Sequence, residues 1–301
     1  MSLIEKAIEK MRAADAGVSS ASRGRPVARP IVAAARIDVA PEIVEPAPVA
    51  VPAKQITVDR VALRAAEYAP EEGCETRFAN FYRHIKRPIL ERAFAAAQDP
   101  QWRVVLLTSA LSGDGKTFTS INLALSMARE RDSSVLLIDG DVPKPNISRI
   151  LGIQRERGLL DAAVNETVEP ESLVLRTDIP GLEVMSAGTP VEHASELLTS
   201  ARTRAVILEL VANNPRRIVL LDAPPLLLSS EARSLLTLPG QIVVVVRAGR
   251  TPRGAIREAM ELVDEDKLTG LILNEGQGRL SDGYYGYDYY GSGDNPGAKG
   301  G

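Results

Sequence analysis

The sequence predicts an α/β fold with a doubly wound, mostly parallel β-sheet, and three observations support that prediction. First, six short apolar runs are continuous rather than alternating, as expected for strands buried on both faces of a sheet. These runs are Val104–Leu107, Val135–Ile138, Leu182–Met185, Ile218–Leu221, Ile242–Val246 and Leu271–Leu273. Second, helical stretches at Thr117–Arg131, Ala201–Ala212 and Arg253–Val263 alternate with these runs, which favours parallel strands joined by helices. Third, a glycine-containing turn joins the first run to the first of these helices.

Length and composition fit an ordinary soluble protein and argue against several kinds of site. The 301 residues suffice for one α/β domain of roughly 200 to 250 residues with further segments. The net charge of −3 provides no basic excess, so no nucleic-acid partner is expected. The single cysteine, Cys74, cannot form an internal disulfide, and with only His84 and His193 in the chain a zinc site is not expected. These features favour a reducing, cytoplasmic compartment.

The segments outside the apolar runs have distinct compositions. The N-terminus opens with a capping box, Ser2-x-x-Glu5, and is predicted to be a short amphipathic helix, either frayed on its own domain or docked on a partner. A Pro/Ala-rich stretch that follows is predicted to be a disordered linker. A helical stretch then spans Thr76–Ala97, with an interruption near Pro88. The predicted organisation is a helix at 1–17, a linker at 18–73, a folded domain at 74–280 and a Tyr/Gly-rich, disordered tail at 281–301.

A phosphate-binding loop is predicted at Ser109–Thr117, directly after an apolar run and directly before a helix. Gly113 and Gly115 allow the backbone to turn its N–H groups toward phosphate oxygens, and the helix N-terminus adds a positive dipole end. Lys116 would neutralise the β- and γ-phosphates, and Thr117 would offer its hydroxyl to Mg²⁺.

Two further apolar runs end in carboxylates. Asp139 and Asp141 follow Val135–Ile138, and Asp222 follows Ile218–Leu221. Because ligands of open α/β sheets bind at the carboxyl ends of the strands, all three side chains should lie near the phosphate site. Asp222 is a candidate Mg²⁺ ligand, directly or through water. A strand-end aspartate can also be only a helix cap or a turn residue.

Together these motifs resemble those of the bacterial tyrosine kinases, the P-loop autokinases of exopolysaccharide and capsule export. Gly113–Thr117 resembles their Walker A box, Leu137–Asp141 their A′ box and Leu220–Pro224 their Walker B box. The resemblance covers roughly Phe78–Asn274, and the opening Met1–Ala7 looks like the subgroup found beside exosortase-linked polysaccharide genes. It implies a sheet of the P-loop NTPase type, ATP and Mg²⁺ as cofactors, and ATP-dependent autophosphorylation on tyrosine.

The resemblance also assigns roles to individual residues. The expected catalytic residues are Lys116, Asp139 and Asp141. The expected metal ligands are Thr117, Asp139 and Asp222. The expected nucleotide-binding residues are Gly113, Asp114, Gly115, Lys116, Thr117, Phe118 and Asn274. We also hypothesise that Asp139 accepts or orients the tyrosine proton, since a hydroxyl with a pKa near ~10 gives little phenolate at neutral pH.

Some positions depart from the family pattern. Ser112 stands where the family usually has proline, Phe118 where it often has threonine, and Pro143 where it commonly has a basic residue. The ring-forming motif E-x-x-R-x-x-R is present only as N-F-Y-R-H-I-K at Asn80–Lys86, so an octameric ring is not implied as it is in relatives. Leu111 replaces the signature lysine of the MinD and ParA relatives, which argues against that branch.

The C-terminal tail concentrates the tyrosines of a chain that is otherwise poor in aromatic residues. Only Tyr68 and Tyr82 lie outside it. By resemblance the expected phosphoacceptors are Tyr284, Tyr285, Tyr287, Tyr289 and Tyr290. From Leu280 an extended tail reaches at most ~35 Å to its last tyrosine, which permits transfer in trans. Two other classes stay open: a non-kinase ATPase switch that positions a partner, as in the MinD/ParA-like class, and a nucleotide-binding scaffold without turnover.

Partners are implied by resemblance alone. They are a transmembrane chain-length-determinant protein (a polysaccharide co-polymerase) as activator, further copies of the chain in a homo-oligomer, and a cognate tyrosine phosphatase. Met1–Gly17 lacks the apolar core of a signal peptide, and no apolar run approaches the ~20 residues that span a bilayer. We therefore expect a cytoplasmic protein that is peripheral to the inner membrane through a partner.

Overall fold

The computed structural model of the protein describes residues 54–70, 72–95 and 99–276. The predicted helix at 1–17 and the predicted tail at 281–301 lie outside the described residues, as does most of the predicted linker. Among the residues that are described, no helix has the length and apolar character needed to cross a bilayer.

One eight-stranded sheet organises the described part of the chain. Its strands are β1 (Gln55–Ile56), β2 (Val104–Ser109), β3 (Ser134–Asp139), β4 (Leu175–Thr177), β5 (Leu182–Met185), β6 (Arg217–Asp222), β7 (Gln241–Arg247) and β8 (Leu268–Asn274). Across the sheet their order is β1-β4-β5-β3-β6-β2-β7-β8. Every neighbouring pair is parallel except β4 with β5, which are antiparallel. The mostly parallel sheet predicted from the sequence is therefore confirmed.

Helices cover both faces of this sheet. They are α1 (Arg60–Ala65), α2 (Glu75–Ala93), α3 (Lys116–Met127), α4 (Asn146–Ile150), α5 (Leu159–Val164), α6 (Ala194–Leu198), α7 (Ala201–Ala212), α8 (Ser230–Leu235) and α9 (Arg253–Glu261). The sheet has a hydrophobic core on each face, and successive residues of β2 pack into different cores. Leu106 packs in the same core as Leu210 of α7, and Leu107 packs in the other core with Leu123 of α3. Because successive side chains of a strand point to opposite faces, the continuous apolar runs belong to strands covered on both sides, and the doubly wound prediction is confirmed.

The folded domain begins earlier than the predicted boundary at residue 74. β1 pairs in parallel with β4 at the edge of the sheet, and α1 buries the side chain of Leu63. Asp59 caps α1 by accepting hydrogen bonds from two of its first N–H groups, both at 2.9 Å. The predicted linker at 18–73 is therefore too long, because apolar side chains within residues 54–70, including Val58, join the core.

Helix α2 runs without a break through Pro88, where the sequence predicts an interruption. Tyr82, Ile89 and Ala93 are buried on its inner face. Tertiary packing of that face maintains the helix although proline lacks the N–H that would complete the local hydrogen bond.

The segment that stands in for the ring motif is split between surface and interior. Asn80 and Arg83 are exposed, whereas Lys86 is buried at 8% exposure. The Lys86 ammonium donates to the carbonyl of Ser126 at 2.8 Å and forms an ion pair with Glu130 at 2.6 Å. This lysine therefore attaches α2 to the end of α3 instead of facing outward.

Candidate active site

The predicted site residues meet at the carboxyl-terminal edge of three adjacent strands. In the sheet β6 lies between β3 and β2, and Asp139 at the end of β3 is in register with Asp222 at the end of β6. Leu107 of β2 is in register with Asp222 from the other side, just before the loop Ala110–Gly115. Strand order alone thus brings both carboxylates beside the predicted phosphate-binding loop.

The loop has the backbone conformation that its glycines permit. Gly113 and Gly115 have φ angles of 86° and 94°, in the left-handed region that disfavours other residues. Gly115 is the N-cap of α3, and within the described residues no side chain caps the first turn of this helix. Its first N–H groups and its positive dipole end are therefore available to an anion.

Asn274, at the end of β8, lies directly against this loop. Its side-chain amide donates to the carbonyl of Asp114 at 3.1 Å. A Cβ atom placed on Gly115 would collide with the same amide, whereas one placed on Gly113 would meet open space. The sequence resemblance predicts Asn274 as a nucleotide contact, and the fold places it beside the loop.

These two glycines offer a matched test of the loop. Gly113→Ala should cost about 1 kcal/mol of unfolding free energy through backbone strain alone. Gly115→Ala should cost about 1 kcal/mol more, because the new methyl group displaces the Asn274 amide from its hydrogen bond. Urea unfolding of both variants measures the difference, and adding Asn274→Ala should remove the excess. Equal stabilities of the two alanine variants would contradict this account of the loop.

The Lys116 side chain is only 8% exposed, and its ammonium lies 3.6 Å from a carboxylate oxygen of Asp141. Asp141 also accepts from the N–H of Lys144 at 3.2 Å. Burial raises the pKa of Asp141, and the positive charge of Lys116 opposes that rise. The ion pair is longer than a good hydrogen bond, so the ammonium can turn to a phosphate without losing a strong partner.

Asp222 is fully buried and is held by two hydroxyls. Thr117 donates to one of its oxygens at 2.9 Å and Ser120 to the other at 2.8 Å. Burial raises the pKa of Asp222 to about 6, although Lys116 and both hydroxyls favour the charged form. Ser120 lies one turn after Thr117 on α3, outside the phosphate-loop pattern, so the sequence does not predict its contact with Asp222.

Asp139 is the most unusual group of the site. One carboxylate oxygen accepts both the N–H and the hydroxyl of Ser148, each at 2.7 Å. The other oxygen is buried and has no hydrogen-bond partner among the described residues. Burial raises the pKa of Asp139 to about 7; the N–H of Ser148 opposes that rise and the charge of Asp222 adds to it. Ser148 belongs to no sequence motif, so the sequence does not predict its place in the site.

An Mg²⁺ ion fits these donors. No group of three or more His, Cys, Asp or Glu side chains in the described part of the chain is arranged to hold a metal by itself. The unpartnered oxygen of Asp139 and the hydroxyl of Thr117 are hard oxygen donors, and Asp222 supports the hydroxyl from behind. Mg²⁺ typically takes one or two protein oxygens and completes its shell with water and phosphate, which suits this sparse set.

The side chains of two predicted nucleotide-binding residues contact other parts of the protein. Asp114 is 3% exposed; its carboxylate accepts from the N–H of Leu111 at 3.0 Å and from the hydroxyl of Thr251 at 2.7 Å. The ring of Phe118 packs edge-on against Phe78, with centroids 6.2 Å apart. At both positions only the backbone remains for a phosphate, because the side chain is committed to the protein.

Arg247 contacts the loop although no sequence motif includes it. Its guanidinium donates to the carbonyl of Gly113 at 3.2 Å and pairs with Glu275 at 2.7 Å. Arg247 and Thr251 lie near the end of β7, far from the loop in sequence, so only the fold shows that they brace it.

The segment that follows Asp141 lines a cavity of about 570 Å³ beside the site. Pro143 lines it together with Lys144 and Arg149. The basic residue that the family has at the position of Pro143 is thus absent, but its neighbours still supply positive charge.

Comparisons with known proteins identify the kind of domain. The chain matches the AAA domain family over residues 103–266. It is 30% identical over 202 residues to the tyrosine-protein kinase YwqD of Bacillus subtilis, and the match covers 66% of this chain and 82% of that protein. It is 29% identical over 177 residues to the succinoglycan biosynthesis transport protein ExoP of Rhizobium meliloti. That match covers 58% of this chain and 22% of ExoP, so the chain spans about a fifth of the length of that relative.

A solved structure gives the same result for the fold. The VpsO kinase domain superposes with a TM-score of 0.55 at 28% identity, covering 68% of this chain and 98% of that domain.

Proposed function

This chain belongs to the bacterial tyrosine-protein kinases, and from that membership we propose that it transfers the γ-phosphoryl group of ATP to tyrosines of its own C-terminal tail, in trans between copies. One observation carries the proposal. The phosphate-binding loop leads into a helix whose first turn has no side-chain cap, and it carries a buried lysine. The loop lies at the same sheet edge as Asp139, and one carboxylate oxygen of Asp139 has no hydrogen-bond partner among the described residues. Phosphoryl transfer needs such a combination of phosphate clamp and carboxylate.

ATP is proposed to bind by its phosphates across the loop. The N–H groups of Gly113–Thr117 would donate to phosphate oxygens, and Lys116 would turn from Asp141 to the β- and γ-phosphates. Asn274 is proposed to contact the adenine base, supported by its position against the loop.

Mg²⁺ would be held by Thr117 and by Asp139 and Asp222, each directly or through water, and it would neutralise charge on the phosphates. The protein supplies the rest of the electrostatics. Lys116 and the loop N–H groups stabilise the charge that develops on the transferring group, and Ser148 keeps Asp139 in a single orientation.

The reaction would proceed by in-line displacement. The tyrosine oxygen attacks the γ-phosphorus, the bond from that phosphorus to the β–γ bridging oxygen breaks, and its electron pair leaves with ADP. The phenol proton goes to Asp139 or is oriented by it. Asp141 assists by holding Lys116 in place before the nucleotide arrives.

The tail is proposed to enter beside Asp141, through the cavity that Lys144 and Arg149 line. The proposed acceptors are Tyr284, Tyr285, Tyr287, Tyr289 and Tyr290. From Gly276, the last described residue, the extended chain reaches at most ~50 Å to Tyr290, which is long enough for transfer between subunits.

The cellular role is proposed to be control of exopolysaccharide synthesis or export, supported by the name of the Rhizobium relative. A transmembrane chain-length-determinant protein would be the activator that brings the kinase to the inner membrane. A homo-oligomer would supply the neighbouring tails, and a cognate tyrosine phosphatase would reset them. Each phosphate adds about −1.5 to −2 charges, so phosphorylated tails would repel one another and disassemble the oligomer.

Complementation between two full-length variants tests the proposal. One variant carries Lys116→Met with an intact tail; the other keeps the site but has phenylalanine at all five tail tyrosines. Incubated together with ATP and Mg²⁺, the mixture should yield phosphotyrosine on the tail of the Lys116→Met chain, while neither variant alone should yield any. ATP turnover without phosphotyrosine in the mixture or in the wild type would contradict the proposal, and phosphorylation confined to the wild type would contradict transfer in trans.

A further inference from the structure

A second, larger cavity lies between α1, α2 and the end of α3, and none of the proposed catalytic residues lines it. Its volume is about 680 Å³. We call it the basic cavity, because its walls carry five cationic side chains and one acidic one. These are Arg60, Arg64, Arg83, Lys86 and Arg129, with Glu130.

Three of these cationic side chains have no ion-pair partner among the described residues. Glu130 is already paired with Lys86 at 2.6 Å. Arg60, Arg83 and Arg129 are exposed and form no ion pair with any described residue. They come from α1, from α2 and from just beyond α3, so three separate elements direct guanidinium groups at one space. Such convergence favours an anion that can accept several guanidinium hydrogen bonds at once.

The same cavity has an apolar, aromatic wall. Phe78, Leu125 and the buried ring of Tyr82 line it, together with Leu63 from α1. A free phosphate ion would leave this wall uncovered, and a flat lipid surface would not enter the concavity. An aromatic ring that carries an anionic group fits both the wall and the guanidinium groups.

One segment of this chain has that chemistry. Residues 277–301 carry three aspartates against one arginine and one lysine, so their side chains are almost neutral before modification. Phosphorylation of the tyrosines turns them into aromatic rings with about −1.5 to −2 charges each. The segment starts directly after Gly276, so each domain brings its own supply of the ligand.

We propose that the basic cavity binds a phosphorylated tyrosine of the C-terminal tail, so that the kinase domain recognises its own product; this rests on the proposed autophosphorylation. Phosphate oxygens accept hydrogen bonds from Arg83 and Arg129, and the ring packs on Phe78 and Leu125. Bound product is held apart from the catalytic edge, and the occupied cavity connects α1 to α2.

A synthetic peptide tests the proposal without depending on kinase activity. A labelled peptide of residues 277–301, phosphorylated at Tyr287, is titrated with the dephosphorylated full-length chain and followed by fluorescence anisotropy. We expect the phosphopeptide to bind at least about 10-fold more tightly than the unmodified peptide. Arg83→Ala and Arg129→Ala should each weaken phosphopeptide binding about 5- to 20-fold, and Arg83→Lys should weaken it less.

Matched controls keep the test specific. Arg257→Ala removes an exposed arginine of α9, outside the cavity, and should leave phosphopeptide binding unchanged. Equal binding of both peptides, or full binding by the Arg83→Ala/Arg129→Ala chain, would overturn the proposal. The proposal would also be overturned if these two arginines controlled binding to vesicles that contain phosphatidylserine, or self-association of the chain, in place of phosphopeptide binding. Because the peptide already carries the phosphate, a chain that does not phosphorylate its own tail can still bind the phosphopeptide. Failure of the proposed autophosphorylation is therefore distinguishable from failure of phosphotyrosine binding.

Discussion

Replacing Lys116 with methionine should lower tail phosphorylation by at least about 10²- to 10³-fold, the cost typical of removing a group that stabilises transition-state charge. Lys116 is a buried cation that pairs with Asp141, and its positive charge also acts on Asp222. Without it, the phosphates of ATP would meet uncompensated negative charge. The rate is measured by mass spectrometry of tail peptides at saturating ATP and Mg²⁺.

Lys267→Met is the control for this change. Lys267 directly precedes β8, at the opposite end of that strand from Asn274, and its ammonium donates to the carbonyls of Leu236 and Thr237, each at 3.4 Å. We expect this control to keep most of the activity. An undiminished rate in the Lys116→Met chain would show that the loop lysine does not bind the transferred group.

Replacing Asp139 with asparagine should abolish transfer and, above neutral pH, stabilise the protein in the absence of Mg²⁺. Burial raises the pKa of Asp139 from 3.8 to about 7. Between about pH 4 and pH 7 the folded protein therefore binds a proton that the unfolded chain releases, and the free energy of unfolding falls as the pH rises through this window. Asparagine carries no charge at any of these pH values, so the variant should gain on the order of 2 kcal/mol over wild type at pH 8 and little at pH 4.5.

Chemical denaturation at the two pH values measures this gain, and Asp161→Asn provides a control of opposite sign. Burial alone would raise the pKa of Asp161, but hydrogen bonds from Gly158 and Thr189 lower it. That carboxylate therefore stabilises the fold when charged, and its replacement should destabilise the protein at pH 8. A loss of stability at pH 8 in the Asp139→Asn chain would mean that Asp139 is a structural group and not one held in a strained, charged state for function.

Patterns in the chain predict the centre of the sheet better than its edge. Four strands, β2, β3, β6 and β7, are buried on both faces, and each appears in the sequence as an apolar run. In contrast, β1 has two residues and β4 three, which is too few for a periodic pattern. The antiparallel pairing of β4 with β5 was missed for the same reason. Pro88 predicts a break in α2 that does not occur, because packing of the helix on the core outweighs a local preference.

The site divides in the same way. Lys116 and Thr117 belong to one short sequence motif and Asp222 to another. Both motifs follow the ends of parallel strands, so the sequence predicts that these residues lie close together. Ser148 and Thr251 reach their carboxylate partners through the tertiary fold, and a common serine or threonine in a loop gives no signal of its own. Asp114 fits the nucleotide motif, yet its carboxylate braces the loop, a distinction that only side-chain contacts reveal.

The proposed phosphorylation of the domain's own tail can be measured by site-mapped mass spectrometry of dephosphorylated wild-type chain incubated with ATP and Mg²⁺. We expect phosphate on tyrosines between Tyr284 and Tyr290, none on the buried Tyr82, and none anywhere in the Lys116→Met chain. ATP consumption with an unmodified tail would contradict it.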